Sequence, residues 1–436
     1  MLQGTGIQDM NSRSASLRWG WLAAEWALLV LVAPFLLFPT VKPRITLLSL
    51  GLLALFWLVA LMRRQPWPVT PFNGALLLFA SMALVGVLIT VLPDLTLPKA
   101  TGLILGFSVF RAVAQTRGGR GRLLTLGGLV LAAMAVWLLG ILDLQWPAKV
   151  PALRVWLGRL PRHVMQLPGR PGTGVSPNQL AGVLVLLLPL PLAAMLTGSP
   201  GQRRLALRLL GLAGAVLLGT TLFLTQSRGG WMGCVAGLLA FLSLWGLSGQ
   251  RPWQRATGLA LPLMVFLVVT ALVAGLGLEQ MGEMLYGMAE EQVESVASPI
   301  SFQGRLEIWS RAFHLIRDFP LTGLGLGTFR QAVWRLYPLF LVSPDRDIAH
   351  AHNIFLQVAL DVGVPGLVSY LALLIVAGRV GWQRVKAREA DRWLALGVLA
   401  GLVGFHVYGL VDTLALRSKP SFLFWWLLGL LAGMAP

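Results

Sequence analysis

Ala256–Leu276 reads ATGLALPLMVFLVVTALVAGL, an uncharged apolar run with Arg251 and Arg255 before it and Glu279 after it. The hydrocarbon core of a bilayer is about 30 Å thick, and about 20 helical residues cross it. Lipid offers nothing to an exposed backbone, so a run of this kind is a membrane-spanning helix. Further apolar runs lie to either side, at 21–38, 45–62, 72–92, 97–115, 123–142, 177–196, 205–225, 229–247, 352–377, 393–412 and 421–435. The expected fold is an all-α polytopic membrane bundle of about 12 transmembrane helices.

Composition agrees. Hydrophobic residues make up 56% of the 436 and charged residues 12%, against roughly 25% charged in soluble domains. Mean hydropathy is +0.74. Net charge is +18, yet no long polybasic tail points to nucleic acid. Such a balance suits loop anchoring, or anionic lipid and phosphate partners. Cys234 is the single cysteine, which excludes a disulfide framework and a cysteine metal site. Met1–Arg18 is polar and leads into a full-length apolar stretch with no small-residue cleavage pattern, the mark of a first anchor rather than a cleaved signal.

Short loops set the orientation. With the N-terminus inside, the inner segments hold Arg13, Arg18, Arg63, Arg64, Arg117, Arg120, Arg122, Arg203, Arg204, Arg251, Arg255, Arg384, Lys386 and Arg388, while the opposite short loops are leaner. This positive-inside bias predicts both termini in the cytoplasm. The chain then divides into helices over 1–276, a large outer loop with amphipathic helices over 277–351, and the last helices over 352–436.

Two outer segments, 143–176 and 277–351, carry arginines that the charge rule does not demand. Arg170 precedes Pro171-Gly172-Thr173-Gly174-Val175-Ser176-Pro177-Asn178. Ser176 suits an N-cap and Pro177 the first helical position, so a glycine-rich approach meets a helix N-terminus that can attract an anion. Thr225-Gln226-Ser227-Arg228-Gly229-Gly230 forms a tight outer turn. An arginine there is ordinarily a snorkelling anchor, but this one sits in a loop too short to wander, where an ionisable group is a functional candidate. In Gln303–Pro320, Leu306, Trp309, Phe313 and Ile316 recur at helical spacing, with Arg305, Arg311 and His314 on the same segment. That describes an amphipathic helix lying on the outer interface or capping the bundle. Gly323-Leu324-Gly325-Leu326-Gly327 mimics a dinucleotide loop but follows a helix, so it is read only as a loop that needs close backbone approach.

His350-Ala351-His352-Asn353 stands at the outer start of the tenth helix. Two histidines at i and i+2 invite a metal, but no third ligand has convincing spacing, so neither a metal nor another cofactor is expected. A helix N-terminus would keep such a histidine neutral and able to take a proton. Several arginines and one neutral histidine on one membrane face suit attack by a hydroxyl on a diphosphate-linked carbon.

The Gly-Thr-Gly…Pro-Asn stretch, Ser227-Arg228-Gly229-Gly230, Gly304-Arg305…Trp309…Pro320…Gly323-Leu324-Gly325 and His352-Asn353-x9-Gly363-x-x-Gly366 together resemble the O-antigen ligase/polymerase superfamily. The resemblance implies a GT-C-like, inverting, metal-independent glycosyltransferase of the bacterial inner membrane with a periplasmic site. It would move a glycan from undecaprenyl diphosphate to a hydroxyl on lipid A–core. Relatives use another lipid-linked glycan as polymerases, or a protein as O-oligosaccharyltransferases. By this resemblance His352 is the base, which His350 could share, and Arg228, Arg305 and Arg170 hold the diphosphate. Asn353 and Arg311 complete the candidate substrate contacts.

A transporter of small anions is the rival from another class. It would place charges near the bilayer midplane on broken, repeated helices. Here the mid-helix ionisable groups are few (Glu25, Asp361 and His406) and no inverted repeat is evident. A flippase would want a basic cavity running through the bundle.

Overall fold

The structure, a computed structural model, describes residues 4–63, 67–116, 119–142, 175–196, 202–286, 302–345, 347–387, 391–414 and 419–435. Its regular elements are helical, with no strand among the described residues. In chain order they are α1 (Gly4–Leu37), α2 (Pro43–Met62), α3 (Asn73–Leu88), α4 (Pro93–Gln115), α5 (Gly119–Leu142), α6 (Pro177–Leu187), α7 (Pro189–Met195), α8 (Gln202–Leu224), α9 (Arg228–Leu247), α10 (Pro252–Tyr286), α11 (Phe302–Asp318), α12 (Phe329–Leu336), α13 (Ile354–Ala387), α14 (Arg392–Tyr408) and α15 (Phe422–Met434).

Nine spans among the described residues are long and apolar enough to cross a membrane, one of them made by α6 and α7 together. Three more apolar helices, α3, α14 and α15, fall short of that length. Every sequence run finds a helix, but 177–196 is not continuous. It breaks at Leu188, where Pro189 has no N–H to carry the ladder on.

Lipid-facing helices supply little hydrophobic drive toward one another, so close packing and small residues must hold them. On α9, a Cβ at Gly233 would lie 2.7 Å from the Gly404 carbonyl oxygen of α14, so the two backbones touch. Between α4 and α15, Trp425 lies flat against Gly106 and is itself fully buried among Phe79, Phe107 and Phe424. Glu25 of α1 pairs with Arg111 of α4, both almost fully buried. A charge in such surroundings has to be paired.

The segment from α11 to α13 forms a small second core of Ile308, Ala312, Leu315, Phe329, Val333, Ile348 and Ala351. Residues 323–327 do approach backbone closely. Gly323, Gly325 and Gly327 all have positive φ (68°, 92° and 85°), and Gly325 would meet the Gly86 carbonyl of α3 at 2.8 Å if it carried a Cβ. Gly363, also at positive φ (73°), kinks α13 where Val364 N–H donates to the Pro320 carbonyl (2.7 Å). The amphipathic helix is present as α11, but its inward face is Gly304, Arg305, Ile308, Ala312 and Leu315. Leu306 and Phe313 of the expected stripe are exposed, at 45% and 61%.

A Cβ at Gly363 would meet the Leu321 carbonyl oxygen at 2.3 Å, in a backbone region L side chains rarely enter. Gly363→Ala is therefore expected to lower the thermal unfolding midpoint in detergent by several degrees. An unchanged midpoint would show that the kink accommodates a methyl.

Candidate functional site

Helix α13 starts at Ile354, not at His352. Asn353 is its cap: the side-chain Oδ1 accepts from the N–H groups of Phe355 (3.0 Å) and Leu356 (3.2 Å), and Nδ2 donates to the Leu410 carbonyl (3.2 Å). Asparagine is among the best N-cap residues and histidine is not. The expectation that a helix dipole keeps His352 neutral is thereby corrected, because His352 lies outside the helix in a turn with φ +49°. Asn353, read as a substrate contact, has its amide committed to the cap and to Leu410.

The turn is clamped from two sides. Trp309 of α11 donates its indole N–H to the Ala351 carbonyl (3.0 Å), and Ala351 N–H donates to Gln357 Oε1 of α13 (3.0 Å). Ala351 is fully buried, so the residues on either side of it are turned out of the core. The His350 and His352 rings lie edge to face, 4.3 Å apart between centroids. The His352 backbone N–H donates to His350 Nδ1 (3.3 Å).

Both rings meet Asp412, which follows the C-terminal end of α14. His350 Nε2 is 3.7 Å and His352 Nδ1 3.6 Å from Asp412 Oδ1, with side-chain exposures of 15%, 17% and 8%. The Thr413 N–H donates to the same carboxylate oxygen (2.7 Å). Arg305 of α11, nearly buried, donates to the carbonyl of Val411. Burial works to raise the Asp412 carboxyl, but His352, His350 and Arg305 outweigh it and hold the group well below the usual carboxylate range. Asp412 is ionised near neutral pH.

Arg228 opens α9, with Ser227 as N-cap accepting from Gly230 N–H (3.2 Å). Its neighbour Gly229 packs on Val411 and Tyr408, which brings this turn beside Asp412. Ser176 caps α6 in position, without a side-chain bond, and the Tyr408 hydroxyl donates to the Asn178 carbonyl (2.7 Å). Arg170 lies outside the described residues. Arg311 is turned elsewhere, 3.6 Å from Glu307 and over the Phe340 ring. The structure thus joins His350, His352 and Arg305, sets Arg228 alongside, and adds Asp412, which the sequence reading missed.

Residues 213–371 match the family model described as O-antigen ligase. Over that stretch the chain is similar to the O-antigen ligase family. No curated protein matches it. The matched stretch contains Arg228, Arg305, His350 and His352 and stops short of Asp412. It supports membrane glycan transfer or polymerisation of the O-antigen ligase type by a multi-pass protein.

Asp412 also supplies the third ligand that the spacing of the two histidines lacked. One ligand atom from each of His350, His352 and Asp412 lies within 4.8 Å of the others. Two imidazoles and a carboxylate are a sound donor set for a divalent ion. Against it stands Arg305, whose permanent positive charge acts on the same carboxylate and opposes a cation there. Calorimetric titration of this O-antigen ligase-type protein with Zn²⁺ is expected to show no site that His350→Ala removes. A micromolar site abolished by that substitution would reassign the trio to a metal.

Proposed function

We propose that the chain transfers a glycan from undecaprenyl diphosphate to an acceptor hydroxyl on lipid A–core, at the outer face of the bacterial inner membrane. The reading adopts twelve crossing helices, with both termini inside and the loop at 277–351 outside. The observation that carries it is the meeting of His350, His352, Asp412 and Arg305 on the loop side of the bundle.

The chemistry follows from the groups present. The acceptor oxygen attacks the anomeric carbon of the donor from the face opposite the diphosphate, so the configuration inverts. Its proton passes to an imidazole as the new C–O bond forms. The bond to the diphosphate breaks, and the leaving oxygen takes the electron pair. His352 is the better base of the two. His350 already accepts the His352 N–H on Nδ1 and turns Nε2 to Asp412. In His352 it is Nδ1 that faces Asp412, which makes Nε2 the proton acceptor. Asp412 then holds the ring's orientation and stabilises the imidazolium as it appears. Arg228 and Arg305 offset charge on the leaving diphosphate, a task for which the planar guanidinium fork is suited. Arg170 is a secondary contact in this reading.

An apolar groove of about 490 Å³ supports a lipid-linked donor. Its wall includes Phe355 and Leu410 at the outer end and Leu374, Trp382, Leu399 and Leu402 farther in. It begins at Phe355, two residues past Asn353, and runs along α13 and α14, as a channel for an isoprenoid tail should.

With a polyprenyl-diphosphate glycan as donor, His352→Ala is expected to abolish transfer by the purified, folded protein. Asp412→Asn should lower kcat by about 10²–10⁴-fold, by analogy with the orienting aspartate of a catalytic triad. Wild-type rates from His352→Ala would remove the base assignment. Offering lipid A–core and a second lipid-linked glycan together separates ligase from polymerase.

Orientation has its own test. In a Cys234→Ser background, a cysteine at Asp345 should react with a membrane-impermeant maleimide in intact spheroplasts, and one at Arg251 only after lysis. The reverse pattern would put the histidine cluster in the cytoplasm.

A further inference from the structure

Beneath the histidine turn, fully buried Gln357 and Asp361 lie one helical turn apart on α13. The Gln357 amide faces two ways. Its oxygen accepts from Ala351 N–H (3.0 Å), and its Nε2 donates to Asp361 Oδ1 (2.8 Å). The same Asp361 oxygen accepts from the N–H of Gly327 (2.9 Å), in the glycine loop. Gly327 has positive φ (85°), where an L side chain is strained, and a Cβ there would lie 1.7 Å from the Lys99 ammonium nitrogen of α4 and displace it. A continuous chain of bonds therefore runs from the glycine loop to the peptide between His350 and His352. Trp309 closes it from the other side of Ala351.

Position 357 requires an acceptor toward Ala351 and a donor toward Asp361, in a place without water. Glutamine supplies both. Methionine of similar length supplies neither, and glutamate would set two carboxylates against each other. His352 needs the support, since its φ of +49° is a conformation non-glycine residues rarely adopt.

We propose that Gln357 and Asp361 are positioning residues: they lock the Ala351 peptide so that the His350 and His352 rings are presented together to Asp412. The role belongs to hydrogen bonding, not to the Asp361 charge. Of the two carboxylate oxygens only Oδ1 is bonded, while Oδ2 is buried with no hydrogen-bond partner among the described residues. Asp361→Asn keeps the acceptor and should therefore substitute well.

The proposal rests on His352 as the base, so ring placement is read separately from turnover. In the full-length protein in detergent, His350 and His352 are labelled with diethyl pyrocarbonate and quantified by peptide mass spectrometry, with exposed His314 as the internal reference. Gln357→Met and, independently, Trp309→Phe should label at His350 or His352 about threefold faster or more relative to His314, as expected of side chains whose local opening has become easier. Asp361→Asn should match wild type. In the transfer assay Gln357→Met should lose about tenfold or more in kcat at nearly constant KM, the pattern of a positioning defect, and Asp361→Asn should stay within about threefold. Wild-type labelling in both Gln357→Met and Trp309→Phe would overturn the proposal. So would an Asp361→Asn variant as impaired as Asp361→Leu. Failure of His352→Ala to stop transfer would remove the catalytic reading and leave the labelling result intact, so the two failures are distinguishable.

Discussion

Asp412 is an ionised carboxylate nearly removed from water at one end of an apolar bundle. Burial of a lone charge costs several kcal/mol, which only nearby positive charge or good donors can offset. The surrounding architecture serves that requirement. Helix α11 carries Arg305 to the Val411 carbonyl, the clamped turn presents two imidazoles, and the Thr413 N–H completes the set. Two stretches distant in sequence converge on one carboxylate, and the glycines of α9 let the Arg228 turn come close as well.

Charge balance at that point also constrains the segment from α11 to α13. Arg305 can reach Val411 only if α11 keeps its roll, and its inward stripe of Ile308, Ala312 and Leu315 fixes that roll. The turn at 350–353 is held by Trp309 from the same helix and by Asn353 at the head of α13. The loop at 323–327 docks through backbone contacts that need no side chain. Each support acts at a distance from Asp412 and still determines what surrounds it.

Much of this was legible in the sequence, for identifiable reasons. Spanning helices announce themselves because lipid tolerates few alternatives, and every apolar run corresponds to a helix. The glycine loop was readable because only glycine permits such close approach at positive φ. Asp412 was not readable, since it is a lone acid at the end of an apolar run and nothing local says which turn faces it. The start of α13 was misread despite a usable signal: Asn353 outranks His352 as a cap. The face of α11 was ambiguous for a physical reason. It carries two apolar stripes, and at a membrane interface apolarity suits contact with lipid as well as with protein.

Asp361 and Asp412 show how surroundings divide one side chain between two kinds of work. Both are buried, and both sit where a connecting segment meets the end of a bundle helix. Asp361 is bonded to a backbone N–H and a glutamine amide, donors whose protons do not exchange during a reaction, so its network can hold a shape and do nothing more. Asp412 faces two imidazoles, side chains whose ring nitrogens can accept a proton. Its interaction energy therefore changes when a proton arrives, and that change is what a general base can draw on. In the proposed reaction the chemistry belongs at Asp412 because its partners can take a proton, and the geometry depends on Asp361 because its partners do not.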